Sequence, residues 1–221
     1  MNLLENQTTL ALNRNKKIAL VGAFSALIIV LTVTRLGFIA FSPTISITIL
    51  QIPVILCAMM TGVSGAIFSG FVMGLMSLIM ASMSPTGILD PLFVNPLCSV
   101  LPRMLLGVVT WILWTLLNFI PKMPKSVAAG ISGFIATCAH TFMVYGCIFI
   151  FDGTGIRAAL EKIGMAGTGY IGVILVGLPS EILEAIASLV VCALVYAALF
   201  FAGKKKSKLS QIGRASCRER V

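Results

Sequence analysis

Six apolar runs, set apart by short turn-rich or basic segments except between the second and third, which adjoin, constrain this chain more than any other feature. They cover residues 18–34, 48–62, 63–81, 99–119, 126–151 and 170–201. Backbone groups in hydrocarbon must satisfy one another, so apolar runs of about 20 residues point to spanning helices. The composition agrees: 58% of the residues are hydrophobic, 10% are charged and the mean hydropathy is +1.06, which excludes an ordinary soluble domain. The expected fold is an all-α membrane protein with six transmembrane helices in one bundle. The expected layout is a basic N-tail at 1–17, a membrane domain at 18–203 and a basic C-tail at 204–211. The first run could be confused with a signal peptide, but it is longer than a usual signal core and no small-residue cleavage site follows it.

Basic residues set the expected orientation. Arg14, Lys16 and Lys17 precede the first run, Lys122 and Lys125 join the fourth to the fifth, and Lys204, Lys205, Lys206 and Lys208 follow the sixth. The other connectors carry Arg35, Arg157 and Lys162, diluted by Asp90, Asp152 and Glu161. Positive loops stay inside, so both termini are expected to be cytoplasmic in a multi-pass, bacterial-type plasma-membrane protein. A lysine tail beside a membrane span is a topology anchor and a contact to lipid headgroups, with no nucleic acid implied.

Residues 212–221, IGRASCRERV, look like a translated sequencing adaptor, and the native C-terminus is expected to differ beyond about residue 211. Outside this stretch the cysteines are Cys57, Cys98, Cys138, Cys147 and Cys192. They stand singly in apolar surroundings, with no CxxC and no metal-ligand spacing, and read as small hydrophobes. No metal or cofactor is expected.

Small residues mark helix contacts. Ala19 and Ala23, and Gly22 and Ala26, form small-xxx-small pairs on the first run, and Gly70 and Gly74 form a GxxxG on the third. Such faces let helices approach closely where lipid supplies no hydrophobic drive. Pro53 is expected to bend or delay the second helix. The sequence at 155–164, GIRAALEKIG, could form a short surface helix.

The chemistry gathers at 86–107, TGILDPLFVNPLCSVLPRMLLG. Asp90-Pro91 and Asn95-Pro96 are turn signals. Ser99 reads as an N-cap, with Pro102 in the first turn and Arg103 just inside the helix mouth. An anion there would meet a guanidinium, helix N–H groups and the helix dipole. Glu181 and Glu184 lie one turn apart on the sixth run, and His140 lies mid-membrane on the fifth. Intramembrane charges face the bundle interior or a water-filled cavity, where Arg103 and Glu181 form either a structural ion pair or part of a ligand site. Phe41 and Phe93, in the loops, are expected to pack on the ligand, and Asn95 to hydrogen-bond it. An enzymatic reading through Ser64 of a GVSG motif fails on depth, because Ser64 is expected at the cytoplasmic helix ends, far from His140. No catalytic residue is assigned, and no Walker motif is present. A stand-alone secondary transporter often carries an internal repeat, and none is visible between the halves.

Taken together, residues 14–205 resemble the substrate-binding S components of energy-coupling factor (ECF) vitamin transporters. The features that carry the resemblance are the basic start, the spans, Ala19-xxx-Ala23 and the GLPSEILE segment at 177–184. The resemblance implies docking through Ala19 and Ala23 on a transmembrane coupling subunit, with two ATPase subunits completing the complex. It also implies capture from outside, toppling in the membrane and ATP-driven release inside. The run at 84–103, SPTGILDPLFVNPLCSVLPR, is similar to the pantothenate-type group. On that basis Arg103, Asn95, Glu181, Glu184, His140, Phe93 and Phe41 are the expected substrate contacts. Folate, riboflavin or a cationic vitamin are the alternative ligands, the last because two glutamates suit a cation.

Overall fold

The structure is a computed structural model that describes residues 13–40, 46–83, 90–151, 153–162, 164 and 167–218, with the backbone alone from residue 200 on. Helix α1 covers Arg14–Val33. A short antiparallel hairpin follows, β1 (Phe38–Ala40) and β2 (Ser46–Thr48), in register Phe38 to Thr48 and Ala40 to Ser46. Helix α2 is Gln51–Thr61 and α3 is Val63–Met83. A 3-10 turn at Asp90–Val94 leads into α4, Pro96–Asn118. Helices α5 (Lys125–Phe151), α6 (Gly153–Lys162) and α7 (Gly169–Arg218) complete the chain.

Among the described residues, five helices are long and apolar enough to cross a membrane: α1, α3, α4, α5 and, within α7, Gly177–Leu199. The expectation of six is therefore corrected. The second apolar run yields only the 11 residues of α2, which reach about 16 Å at 1.5 Å per residue. That is about half of a hydrocarbon core of roughly 30 Å. Two local causes shorten it. Residues 46–48 pair as a strand with β1 instead of opening the helix. At the other end Gly62 takes φ 85° and ψ −168°, a conformation open essentially to glycine alone, and the chain turns directly into α3. Pro53 falls in the first turn, where its missing N–H costs little. With five spanning-length helices, the even count that placed both termini on the cytoplasmic side is lost, and that expectation is withdrawn.

Helix α2 is the centre of the bundle. Each of its residues is buried, and it touches all five long helices. Around it α1 packs on α3, α3 on α4, α4 on α5 and α5 on α7. The α3–α4 seam is set by glycine. A Cβ on Gly70 would collide with the Arg103 carbonyl, one on Gly74 would lie 2.7 Å from Val100 Cα, and one on Gly107 would lie 2.5 Å from the Ala66 carbonyl. The Gly70–Gly74 pair thus packs a helix, as its spacing predicts. Gly130 and Gly133 play the same part for α5 against Leu189 and Ser188 of α7. Outward-facing Phe68, Phe71, Leu105, Leu116 and Ile182 are exposed, as lipid-facing positions should be.

Candidate substrate-binding site

Helix α4 starts earlier than its sequence suggests. Asn95, not Ser99, is the N-cap: its Oδ1 accepts from the Leu97 N–H at 3.0 Å, and Pro96 occupies the first helical position. Ser99 instead donates its hydroxyl to the Gly74 carbonyl at 3.1 Å, tying α4 to α3. Arg103 therefore sits two turns inside the helix and only 8% exposed, rather than at its mouth. Its guanidinium folds back along its own helix. Pro102 has no N–H to give the Cys98 carbonyl four residues earlier. Arg103 Nη1 donates there at 3.0 Å and to the Ser99 carbonyl at 2.9 Å. The Phe93 ring lies beneath it, 4.7 Å from guanidinium carbon to ring centroid, a cation–π contact. His140 of α5 is 6% exposed and holds the Pro102 carbonyl through Nδ1 at 3.3 Å.

A second polar group faces α7. Thr141 donates its hydroxyl to Oε2 of Glu181, while Thr137 donates to the Ser188 hydroxyl at 3.0 Å. Glu184, one turn from Glu181, accepts from the Thr48 N–H at 2.6 Å through Oε1 and from Gln51 Nε2 at 3.1 Å through Oε2. Arg103 and Glu181 do not pair with each other: each is bonded as described. Two buried polar atoms in these groups have no hydrogen-bond partner, Arg103 Nε and Glu181 Oε1. One is a donor and the other an acceptor, each on the interior of the bundle. Among the described residues no cluster of three metal-ligating side chains occurs.

Residues 16–196 match the family described as ECF transporter, substrate-specific component. The chain belongs to this family. Comparison with curated proteins finds no match. An S component is a transport subunit and not an enzyme, and ECF systems include coupling and ATPase subunits. The five spanning-length helices fit a multi-pass membrane protein of this kind.

Of the contacts expected from this S component's sequence, Arg103, His140 and Phe93 come together on α4, α5 and the 3-10 turn. Glu181 and Glu184 lie one turn apart within α7, Asn95 is occupied as a helix cap, and Phe41 lies outside the described residues. Sequence reasoning missed Thr141, Thr48 and Gln51, the donors that engage the two glutamates. Gln51 carried a usable signal, a lone amide within an apolar run. Thr141 carried only its place beside His140, and a backbone N–H such as that of Thr48 carries none.

Proposed function

We propose that this S component captures a small water-soluble vitamin from outside the cell for ATP-driven uptake, with pantothenate the favoured substrate. The observation that carries the reading is the pair of buried, unpartnered atoms, Arg103 Nε and Glu181 Oε1. A buried polar atom without a partner costs about 1–3 kcal/mol, so a ligand group that satisfies either one is favoured. Pantothenate has a carboxylate to accept from Arg103, and hydroxyl and amide groups to donate to Glu181. His140, Asn95 and Phe93 would border such a ligand. Glu184 has both oxygens engaged by Thr48 and Gln51, which leaves one acid for the ligand and weakens the case for a cationic vitamin.

The partner assignment has its own support. Ala19, Gly22, Ala23 and Ala26 are all exposed on α1, and a Cβ on Gly22 would have nothing within 4 Å. This face is left for the coupling subunit, with two ATPase subunits behind it. Lys122 and Lys125 at the opposite end from the polar groups orient the site outward, in a bacterial-type plasma membrane.

Mass spectrometry of the small molecule released from the purified protein tests the substrate directly. Calorimetric titration of pantothenate and its alcohol analogue then tests the site. Arg103→Gln should weaken the acid by roughly 10- to 150-fold, the value of one charged hydrogen bond, and the alcohol much less. Arg103→Lys, which keeps the charge but not the fork, should be intermediate. Release of riboflavin, folate or a cationic vitamin would overturn the pantothenate reading. Equal weakening of acid and alcohol would make Arg103 purely structural.

A further inference from the structure

We infer that Glu184 is a positioning residue: from α7 it holds the corner between β2 and α2 inside the bundle, and it is not itself a ligand contact. The corner needs such a partner. In the hairpin the Ile49 N–H donates to the Gly37 carbonyl at 3.0 Å, so the adjacent Thr48 N–H points away from β1, off the open edge of the sheet. An edge N–H among packed helices must find an acceptor. The start of α2 has a matching need. Its N-cap is Leu50, which makes no side-chain cap bond, and its first turn contains no acid. Helix starts ordinarily take Ser, Thr, Asp or Asn at that position and favour negative charge nearby.

Glu184 meets both needs from a distant part of the chain. One carboxylate oxygen takes the Thr48 N–H at 2.6 Å, and the other takes Gln51 Nε2, on the first residue of α2, at 3.1 Å. Two acceptor oxygens are thereby set at the positive end of α2. Gln51 is 1% exposed, so its amide is closely held there. Both oxygens of Glu184 are engaged, in contrast to Glu181 one turn away, whose Oε1 has no partner. The two acids thus divide the work. Glu181 faces the ligand, and Glu184 fixes how the hairpin and the head of α2 stand beside it.

The test is hydrogen exchange by mass spectrometry on the full chain in nanodiscs, over residues 46–52, without added ligand. Glu184→Ala should raise exchange in this segment by about 5- to 150-fold, because the Thr48 N–H is left buried without its acceptor. Glu184→Gln should keep most of the protection, because its amide oxygen still accepts from Thr48. Thr48→Pro removes the N–H at an edge position that tolerates proline, and should mimic Glu184→Ala. The double variant Thr48→Pro with Glu184→Ala should lose no more than Glu184→Ala alone. A second readout, the dissociation rate of the co-purified molecule, should rise with both Glu184→Ala and Thr48→Pro. Only this readout rests on the capture function proposed above: altered exchange with no molecule retained by the wild type would sink that function and leave the positioning role standing. Unchanged exchange in Glu184→Ala, or a Gln variant as unprotected as Ala, would overturn the inference. Loss of ligand in Glu184→Ala but not in Thr48→Pro would make Glu184 a direct ligand contact instead.

Discussion

Gly74→Ala and Gly22→Ala make the same chemical change on two membrane helices, and the structure assigns them opposite outcomes. At Gly74 the new methyl would lie 2.7 Å from Val100 Cα and 3.1 Å from the Ser99 carbonyl, both on α4. Backbone cannot swing aside as a side-chain end can. To reach ordinary contact at 3.4 Å, α4 must retreat by about 0.7 Å at this point. The Ser99 hydroxyl bond to the Gly74 carbonyl, now 3.1 Å, would then stretch beyond useful hydrogen-bond length. Overpacking costs about 1–3 kcal/mol and the lost bond about 0.5–1.5 kcal/mol, together about 2–4 kcal/mol. For a chain of this size that is a fall in Tm of roughly 4–16 °C. At Gly22 a methyl meets nothing within 4 Å. There the change only removes glycine from a helix interior, which should be neutral or raise stability by about 0.5–1 kcal/mol. Thermal unfolding of both variants in one detergent reads the difference. Equal Tm values would refute the idea that close glycine contact sets the α3–α4 seam.

Three further predictions concern other parts of the fold. Ala23→Trp should abolish co-purification with the ATPase module while leaving vitamin affinity unchanged, and a pull-down alongside calorimetry checks both; normal co-purification would remove α1 as the docking face. Gly62→Ala places a side chain at φ 85°, which should cost about 1–3 kcal/mol; thermal unfolding should show a clear drop in Tm, and an unchanged Tm would mean that the α2–α3 turn relaxes freely. Thr141→Val removes the hydroxyl that donates to Glu181, so vitamin affinity should fall by roughly 5- to 150-fold; calorimetry showing unaltered binding would remove Glu181 from the site.

Much of the architecture was legible because periodicity and length speak for themselves. The long runs that became α1, α3, α4, α5 and the apolar part of α7 stand near their expected bounds. The short helix expected at 155–164 corresponds to α6. The second run misled because hydropathy measures burial and not conformation. Residues 46–61 are apolar whether the chain enters the bundle as strand or as helix, and α2 is buried by protein rather than by lipid. The α4 start was misjudged because Asn95-Pro96 and Ser99 with Pro102 are both sound cap patterns; the side chain of Asn95 takes the cap, while Ser99 is drawn to Gly74 of α3. The division between Glu181 and Glu184 could not be read at all. It depends on Thr48 and Gln51, more than a hundred residues away, and one of the donors is a backbone group common to nearly every residue.

The enclosure of α2 has a mechanical consequence. A bilayer acts on a spanning helix through hydrophobic mismatch, and helices respond to a thicker or thinner membrane by changing tilt. The five long helices of this chain have surfaces on which that force can act. Helix α2, buried along its whole length and about half a membrane tall, has none. It is a fixed-length plug inside a sleeve whose tilt depends on the surrounding lipid. Any change of tilt is therefore taken up as sliding between α2 and the helices around it, and the contact between α7 and the head of α2 lies directly on that sliding surface.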